Sequence, residues 1–148
     1  MMTNNNSFFL CSLIEFIGRQ QKLSRDEVVL LLGHEAVKHI YEFADVLHCE
    51  PISKVADEYI NLCQIGTGAF DNISAYKYAI PTYWDIGKVY ARLIQDVVVN
   101  ISDREKIIQT LNEVYVSWIN DSLSNFNSDF FYQPHDYIRE CYFKGEIL

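Results

Sequence analysis

The chain has 148 residues, 49% of them hydrophobic and 14% aromatic, with 20 acidic against 12 basic side chains and a formal net charge of −8. Such apolar content excludes a disordered chain, and a chain of this length buries about two-thirds of its unfolded surface, enough to fold without staples. The acidic balance argues against a general nucleic-acid binder, which needs a basic face to neutralise phosphate.

The start, Met1-Met2-Thr3-Asn4-Asn5-Asn6-Ser7, carries no basic residue, and Glu15 interrupts the apolar run from Phe8 to Ile17. Neither a secretory signal nor a membrane span is expected, which makes a cytoplasmic location the expectation. The first helix is predicted from about Ser7 to Gln21 on the stripe Phe9, Leu13, Phe16 and Ile17, capped by Asn6 or Ser7. Ser24-Arg25-Asp26-Glu27 fits a capping box and opens a second helix, with Val28, Leu31 and Leu32 inside and Gly33 as its stop. A third helix is expected from His34 to His48, ended by Pro51, and a fourth from a Ser53 cap along Val55, Ala56, Tyr59, Ile60 and Cys63.

Gly66-Thr67-Gly68 reads as a flexible joint, and the turn-rich stretch from Gly66 to Ile80 as a long irregular connection. Thr82 with Asp85 forms a second box for a fifth helix, whose stripe includes Ile86, Val89, Tyr90, Leu93 and Ile94. Val97-Val98-Val99 reads as a helix end rather than a strand. Ser102-Asp103-Arg104-Glu105 reads as a third box, opening one long helix to about Asn125. Pro134 suits the first turn of a last helix that Lys144-Gly145 stops. The expected fold is therefore all-α, a compact bundle of about seven helices. It is either one domain over residues 1–148 or two helical subdomains, 1–65 and 81–148, joined by the loop 66–80.

Charge is even along the chain: residues 1–65 hold 5 basic and 9 acidic side chains, and residues 66–148 hold 7 and 11. Cys11, Cys63 and Cys141 lie at helical spacing among apolar neighbours and read as small buried hydrophobes. Cys49 alone has polar neighbours. His34 and His39 are five apart, about 140° around a helix, and do not converge. Asp45 and His48 read as a local hydrogen-bonded pair rather than a metal site, and no metal or cofactor is expected. The acidic pairs Asp26-Glu27, Asp57-Glu58 and Asp103/Glu105 read as helix-start or solvated residues rather than acid–base pairs. No nucleophile elbow, phosphate loop or metalloprotease motif occurs.

The stretch from Tyr76 to Arg92 departs from the rest. Tyr76, Lys77, Tyr78, Tyr83, Trp84, Lys88 and Arg92 interleave aromatics with cations. That mixture suits a protein-contact surface, since Tyr and Trp offer large area at low entropy cost, and less well a base-stacking one.

Residues 12–48 carry a resemblance. Leu13-Ile14-Glu15-Phe16, Lys22-Leu23-Ser24 with Glu27-Val28, and Tyr41-Glu42-Phe43-Ala44-Asp45-Val46-Leu47-His48 resemble a small bacterial family of unknown function. Arg25 replaces that family's usual Gly and Ala44 its usual aromatic, and Cys49-Glu50-Pro51 departs from its pattern after His48. Genes of the family often neighbour genes for toxin-like proteins with an ADP-ribosyltransferase-like fold. The resemblance implies a non-enzymatic protein partner or antitoxin-like regulator, with Asp45, Val46, Leu47 and His48 as its motif. It supplies no catalytic residue. The expected partner is another protein, a toxin-like enzyme encoded nearby, and neither a membrane nor nucleic acid. The alternatives are an enzyme of unknown reaction with a site at the 66–80 loop and His48, and a small nucleic-acid regulator using Lys77, Lys88 and Arg92.

Overall fold

A computed structural model describes residues 4–71, 80–98, 102–125, 128 and 130–148. The fold is all-α. Among the described residues there are eight α-helices and one 3-10 turn: α1 (Asn5–Gln21), α2 (Arg25–Glu42), α3 (Ala44–Leu47), α4 (Ile52–Leu62), α5 (Tyr83–Val97), α6 (Arg104–Tyr115), α7 (Trp118–Ser124), the turn Phe130–Tyr132, and α8 (His135–Lys144). None of these helices is long and apolar enough to cross a membrane.

Local chemistry sets most boundaries. The Glu27 carboxylate accepts from the Ser24 amide at 3.1 Å and its hydroxyl at 2.7 Å, and Thr82 and Asp85 exchange two bonds of 3.0 and 3.1 Å. Gly33 has φ 79° and ψ 166°, so α2 is two helical pieces meeting at a kink that a Cβ would strain. The expected break at Gly33 is real, but helix resumes at once.

Five expectations need correction. Asn4, not Asn6 or Ser7, caps α1, its Oδ1 accepting from both of those amides. Pro51, not Ser53, occupies the cap of α4, with its fixed φ and its carbonyl receiving the Lys54 and Val55 amides. Asp103, not Ser102, caps α6, its carboxylate accepting from Glu105 and Lys106. The helix expected over His34–His48 stops at Glu42 and restarts at Ala44, across Phe43 at φ −106° and ψ 16°. The single helix expected over 103–125 breaks between Val116 and Ser117, because the Ser117 hydroxyl turns back to the Val114 carbonyl at 2.7 Å while its backbone becomes extended.

α1 is the central helix, packing against α2, α3, α4 and α5. It runs antiparallel to α5. The Asn4 amide donates to Gln95, Ser12 faces Gly87, Phe16 meets Tyr83 edge-on at 5.1 Å, and Arg19 donates to the Pro81 carbonyl. The crossing depends on Gly87: a Cβ there would lie 2.7 Å from the Ser12 amide nitrogen and 2.8 Å from its Cα. Backbone cannot yield as a flexible side chain can. Buried apolar side chains from both halves of the chain form one cluster around this contact.

A charged group sits inside that cluster. Glu15, on the inner face of α1, binds Arg25 Nε at 2.5 Å and Arg19 Nε at 2.8 Å, and both Glu15 and Arg25 are buried. The Arg25 guanidinium also donates to the Tyr90 hydroxyl at 3.2 Å and the Ser124 hydroxyl at 2.5 Å, and lies 5.2 Å from the Tyr90 ring centre. Tyr90 donates to Asn120 Oδ1 at 2.7 Å and stacks on Tyr115 at 4.5 Å. Burial works against the Arg25 charge, but Tyr90 and Glu15 outweigh it and raise its proton affinity. Burial likewise holds the Tyr90 and Tyr115 hydroxyls protonated.

Two outcomes follow for stability, both read by urea unfolding. Gly87→Ala gains up to about 1 kcal/mol of helix propensity but overpacks the crossing, for a net loss of about 1–3 kcal/mol, and Ser12→Ala does not rescue it because the backbone contacts remain. Arg25→Met leaves Glu15 held by Arg19 and removes the donor to Tyr90 and Ser124, at a cost of about 3 kcal/mol, the low end for a broken buried pair, whereas adding Glu15→Leu recovers most of that loss. An additive double variant would show that the pair is not coupled.

Candidate functional site

Helix α5 carries the described part of the aromatic–cationic stretch; Tyr76, Lys77 and Tyr78 lie outside the described residues. The structure divides the remainder between two sides of the helix. Tyr83 and Trp84 belong to the α1 side. Tyr83 is half-buried between Phe16 and Trp84, and Trp84 packs on Phe8 with ring centres 5.6 Å apart while remaining 39% exposed.

Trp84 borders a cavity of about 400 Å³ that also brings in residues remote in sequence. Phe8, Phe9 and Ala44 supply its apolar wall, Asn5 and Asn6 come from the first turn of α1, and Asp45 and His48 come from α3 and its end. Two separate sequence signals, the 45–48 motif and the aromatic run, thus meet in one cleft. Within the motif the roles divide. Asp45 and His48 line the cleft, Val46 is exposed outside it, and Leu47 packs against the core. His48 does not take Asp45 as its partner, as the sequence suggested. Its Nδ1 lies 3.0 Å from the Ala44 carbonyl, and since a carbonyl only accepts, Nδ1 carries a proton and Nε2 is the acceptor of the neutral ring. The asparagines add amide groups, so the cleft joins an aromatic wall to a polar rim that carries one carboxylate.

Lys88 and Arg92 belong to the other side, facing α8. They line a cavity of about 200 Å³ together with Gln133, His135 and an apolar floor of Val89, Leu93 and Ile138. A neighbouring cavity of about 500 Å³ shares Lys88 and Val89 and extends past Pro81 and Asp85 to Phe131 and Tyr132. Behind the smaller cavity, Asp96 holds His135 Nδ1 at 2.8 Å and Arg92 Nε at 3.5 Å, while Arg92 Nη2 reaches His135 Nε2 at 3.1 Å. Asp96 and His135 went unread in the sequence. Asp96 stands four residues after Arg92, the spacing of a helical ion pair, and His135 follows the helix-starting Pro134; only the fold shows that they meet.

The remaining candidates are local. His34 faces Glu105 at 3.7 Å across α2 and α6, and His39 shares a 2.6 Å bond with the Tyr59 hydroxyl. Among the described residues no three His, Cys, Asp or Glu side chains are arranged to hold a metal ion. Asp57 accepts from Gln20. The Gly66–Gly68 joint is fastened at Gly68, whose amide donates to the Gln21 carbonyl at 2.8 Å; residues 72–79 of the expected loop lie outside the described residues. Cys11 and Cys141 are buried, Cys63 is half-buried and Cys49 is exposed. Burial pushes the Cys11 thiol up to about 12, against a weaker opposing pull from the neighbouring Tyr115 hydroxyl.

Compared with known protein families, curated proteins and solved structures, the chain matches none.

The cysteine environments give a direct check on this packing. In the native protein at mildly alkaline pH, Ellman's reagent reacts fast with Cys49, slowly with Cys63, and with Cys11 and Cys141 only after unfolding in guanidinium. Rapid reaction of Cys11 or Cys141 in the native state would contradict the packing of α1 and α8.

Proposed function

We propose that this chain is a non-enzymatic interaction protein of the bacterial cytoplasm, an antitoxin-like regulator that docks on a toxin-like enzyme encoded nearby. The observation that carries the reading is the Trp84 cleft. A half-exposed indole stands beside a preformed apolar wall of Phe8, Phe9 and Ala44, with the Asp45 carboxylate at the rim. Interface energy concentrates where an aromatic anchor meets a pocket inside a polar ring. A volume of about 400 Å³ accepts one or two large apolar side chains from a partner. Asp45 and the formal net charge of −8 favour a partner with basic residues around that anchor, and complementary charge speeds such an encounter. The resemblance over residues 12–48 supports the same reading, since its motif supplies the Asp45 and His48 side of the cleft.

The test uses the purified product of the adjacent gene and isothermal titration. Binding is expected to weaken with salt, Trp84→Ala to lower affinity by about tenfold or more, and Asp45→Lys to lower it while flattening the salt dependence. Leu62→Ala, an exposed apolar truncation on α4 outside the cleft, leaves binding unchanged. Absence of binding, or wild-type affinity in both cleft variants, would overturn the proposal.

A further inference from the structure

We propose that the cavity between α5 and the start of α8 is a ligand site for a small oxyanion, a carboxylate or a phosphate, carried on an apolar or aromatic body. The site is separate from the Trp84 cleft and does not rest on the reading of that cleft.

The charges on its wall make the case. Lys88, Arg92 and His135 line the cavity, and Asp96, the carboxylate among them, does not. Asp96 lies behind the wall with its side chain about 10% exposed, its Oδ2 bonded to His135 Nδ1 at 2.8 Å and its Oδ1 at ion-pair distance, 3.5 Å, from Arg92 Nε. A carboxylate in that position fixes the directions of both side chains while its own charge stays off the cavity surface, the logic by which supporting groups orient the groups that touch a ligand. Arg92 lacks any acceptor, so the 3.1 Å contact makes His135 Nε2 the acceptor and Nδ1 the donor to Asp96. His135 and Asp96 are therefore positioning residues. Arg92 and Lys88 are the charges that face the anion, the first held in place by Asp96 and His135 and the second a mobile ammonium.

Lys88 adds an independent argument. It is exposed, lines both cavities, and makes no ion pair among the described residues. Among the described residues the exposed cations Lys22, Lys54 and Arg104 face a carboxylate, whereas Lys88, Lys106 and Lys144 make no ion pair; Lys88 differs from the other two in lining these cavities. In a chain of net charge −8 an ammonium left beside a guanidinium is a local reversal of sign. Counting Lys88, Arg92 and Asp96 with His135 neutral, the cluster carries one net positive charge, enough to balance one oxyanion charge. Asp85 lines the larger cavity, where it accepts from the Thr82 amide at 3.0 Å, and is absent from the wall of the smaller one, so the positive balance belongs to the smaller cavity.

The floor and the neighbouring space define the rest of the ligand. Val89, Leu93 and Ile138 exclude water beneath the anion. About 200 Å³ holds a charged head group and little more. The adjoining cavity, reached past Lys88 and Val89, offers about 500 Å³ beside Phe131 and Tyr132 for an apolar or aromatic body.

The test is titration of the ¹⁵N-labelled full chain with phenyl phosphate, benzoate and phenol, followed by amide shifts in α5 and α8. At least one of the two anions should saturate the shifts by about 10 mM, and phenol should bind at least tenfold more weakly. The tighter of the two anions identifies the head group. Lys88→Glu is expected to weaken the anion at least tenfold with the urea midpoint unchanged, since Lys88 is exposed, whereas the exposed control Lys54→Glu leaves binding intact. Asp96→Asn should weaken binding by freeing Arg92 and His135 from their fixed orientation, although it adds positive charge; a merely electrostatic role for Asp96 would tighten it. Absence of saturation by either anion, equal binding of phenol, or wild-type affinity in Lys88→Glu would overturn the proposal.

Discussion

A single buried ion pair, Glu15 with Arg25, sets the arrangement on which the rest depends. Two charges in a packed interior are tolerated when their mutual attraction and further hydrogen bonds offset the cost of leaving water. Here the partners come from four helices: Glu15 from α1, Arg25 from α2, Tyr90 from α5, and Asn120 with Ser124 from α7. Apolar packing accepts a sliding helix at modest loss, but this network does not. A shift of α5 by one residue would carry the Tyr90 hydroxyl away from both Arg25 and Asn120. The polar cluster therefore specifies how the helices are placed, while the surrounding apolar side chains supply most of the driving force.

The orientation of Tyr90 has consequences for the outside of the protein. At 100° per residue, Lys88 and Arg92 each lie about 160° from Tyr90, and about 40° from one another. Pinning Tyr90 inward thus presents both cations outward on one stripe. Trp84 lies about 120° from Tyr90 and about 40° from Lys88, bordering the cations on the side that faces α1. On α1, Phe8, Ser12 and Phe16 form one stripe at four-residue spacing, and they meet Trp84, Gly87 and Tyr83. The small pair allows close approach of the helices; the linked rings of Phe16, Tyr83, Trp84 and Phe8 fill the space beside it. The two candidate binding regions are consequences of one helix held by its inner face.

Where local chemistry decides structure, the sequence was readable. The boxes at Ser24 and Thr82, the break at Gly33 and the stop at Gly145 each depend on residues within one turn. The misplaced caps, Asn4 for Asn6 or Ser7 and Asp103 for Ser102, come from runs in which several neighbouring residues can perform the same function. Periodicity gave no warning of the break at Ser117, because a three-and-four spacing of apolar residues continues through it. The break has a structural use: Asn120 reaches Tyr90 and Arg25 from the restarted helix. The ion pair itself had a partial signal. Glu15 stands within an otherwise apolar run, and a lone carboxylate there requires a cation. Arg25 gave none, since it sits among the polar residues of a helix start.

The candidate sites were legible to a similar extent. Composition singled out the stretch ending at Arg92, and the motif at Asp45 to His48 was visible as a pattern, but neither could show which side of which helix each residue would occupy. A cleft or cavity is a property of several segments at once. Trp84 acquires its pocket from α1 and α3, and Arg92 acquires its orientation from Asp96 and from His135, forty-three residues away. Average charge obscures the second case further. Evenly distributed acid over both halves makes the whole chain a negative body, yet a buried carboxylate can turn local charge toward the opposite sign by facing inward and holding cations outward. Asp96, near the end of α5, does so with Arg92 of its own helix and His135 at the start of α8. The sign a ligand meets is set by which groups reach the wall, and on this wall they are Lys88 and Arg92.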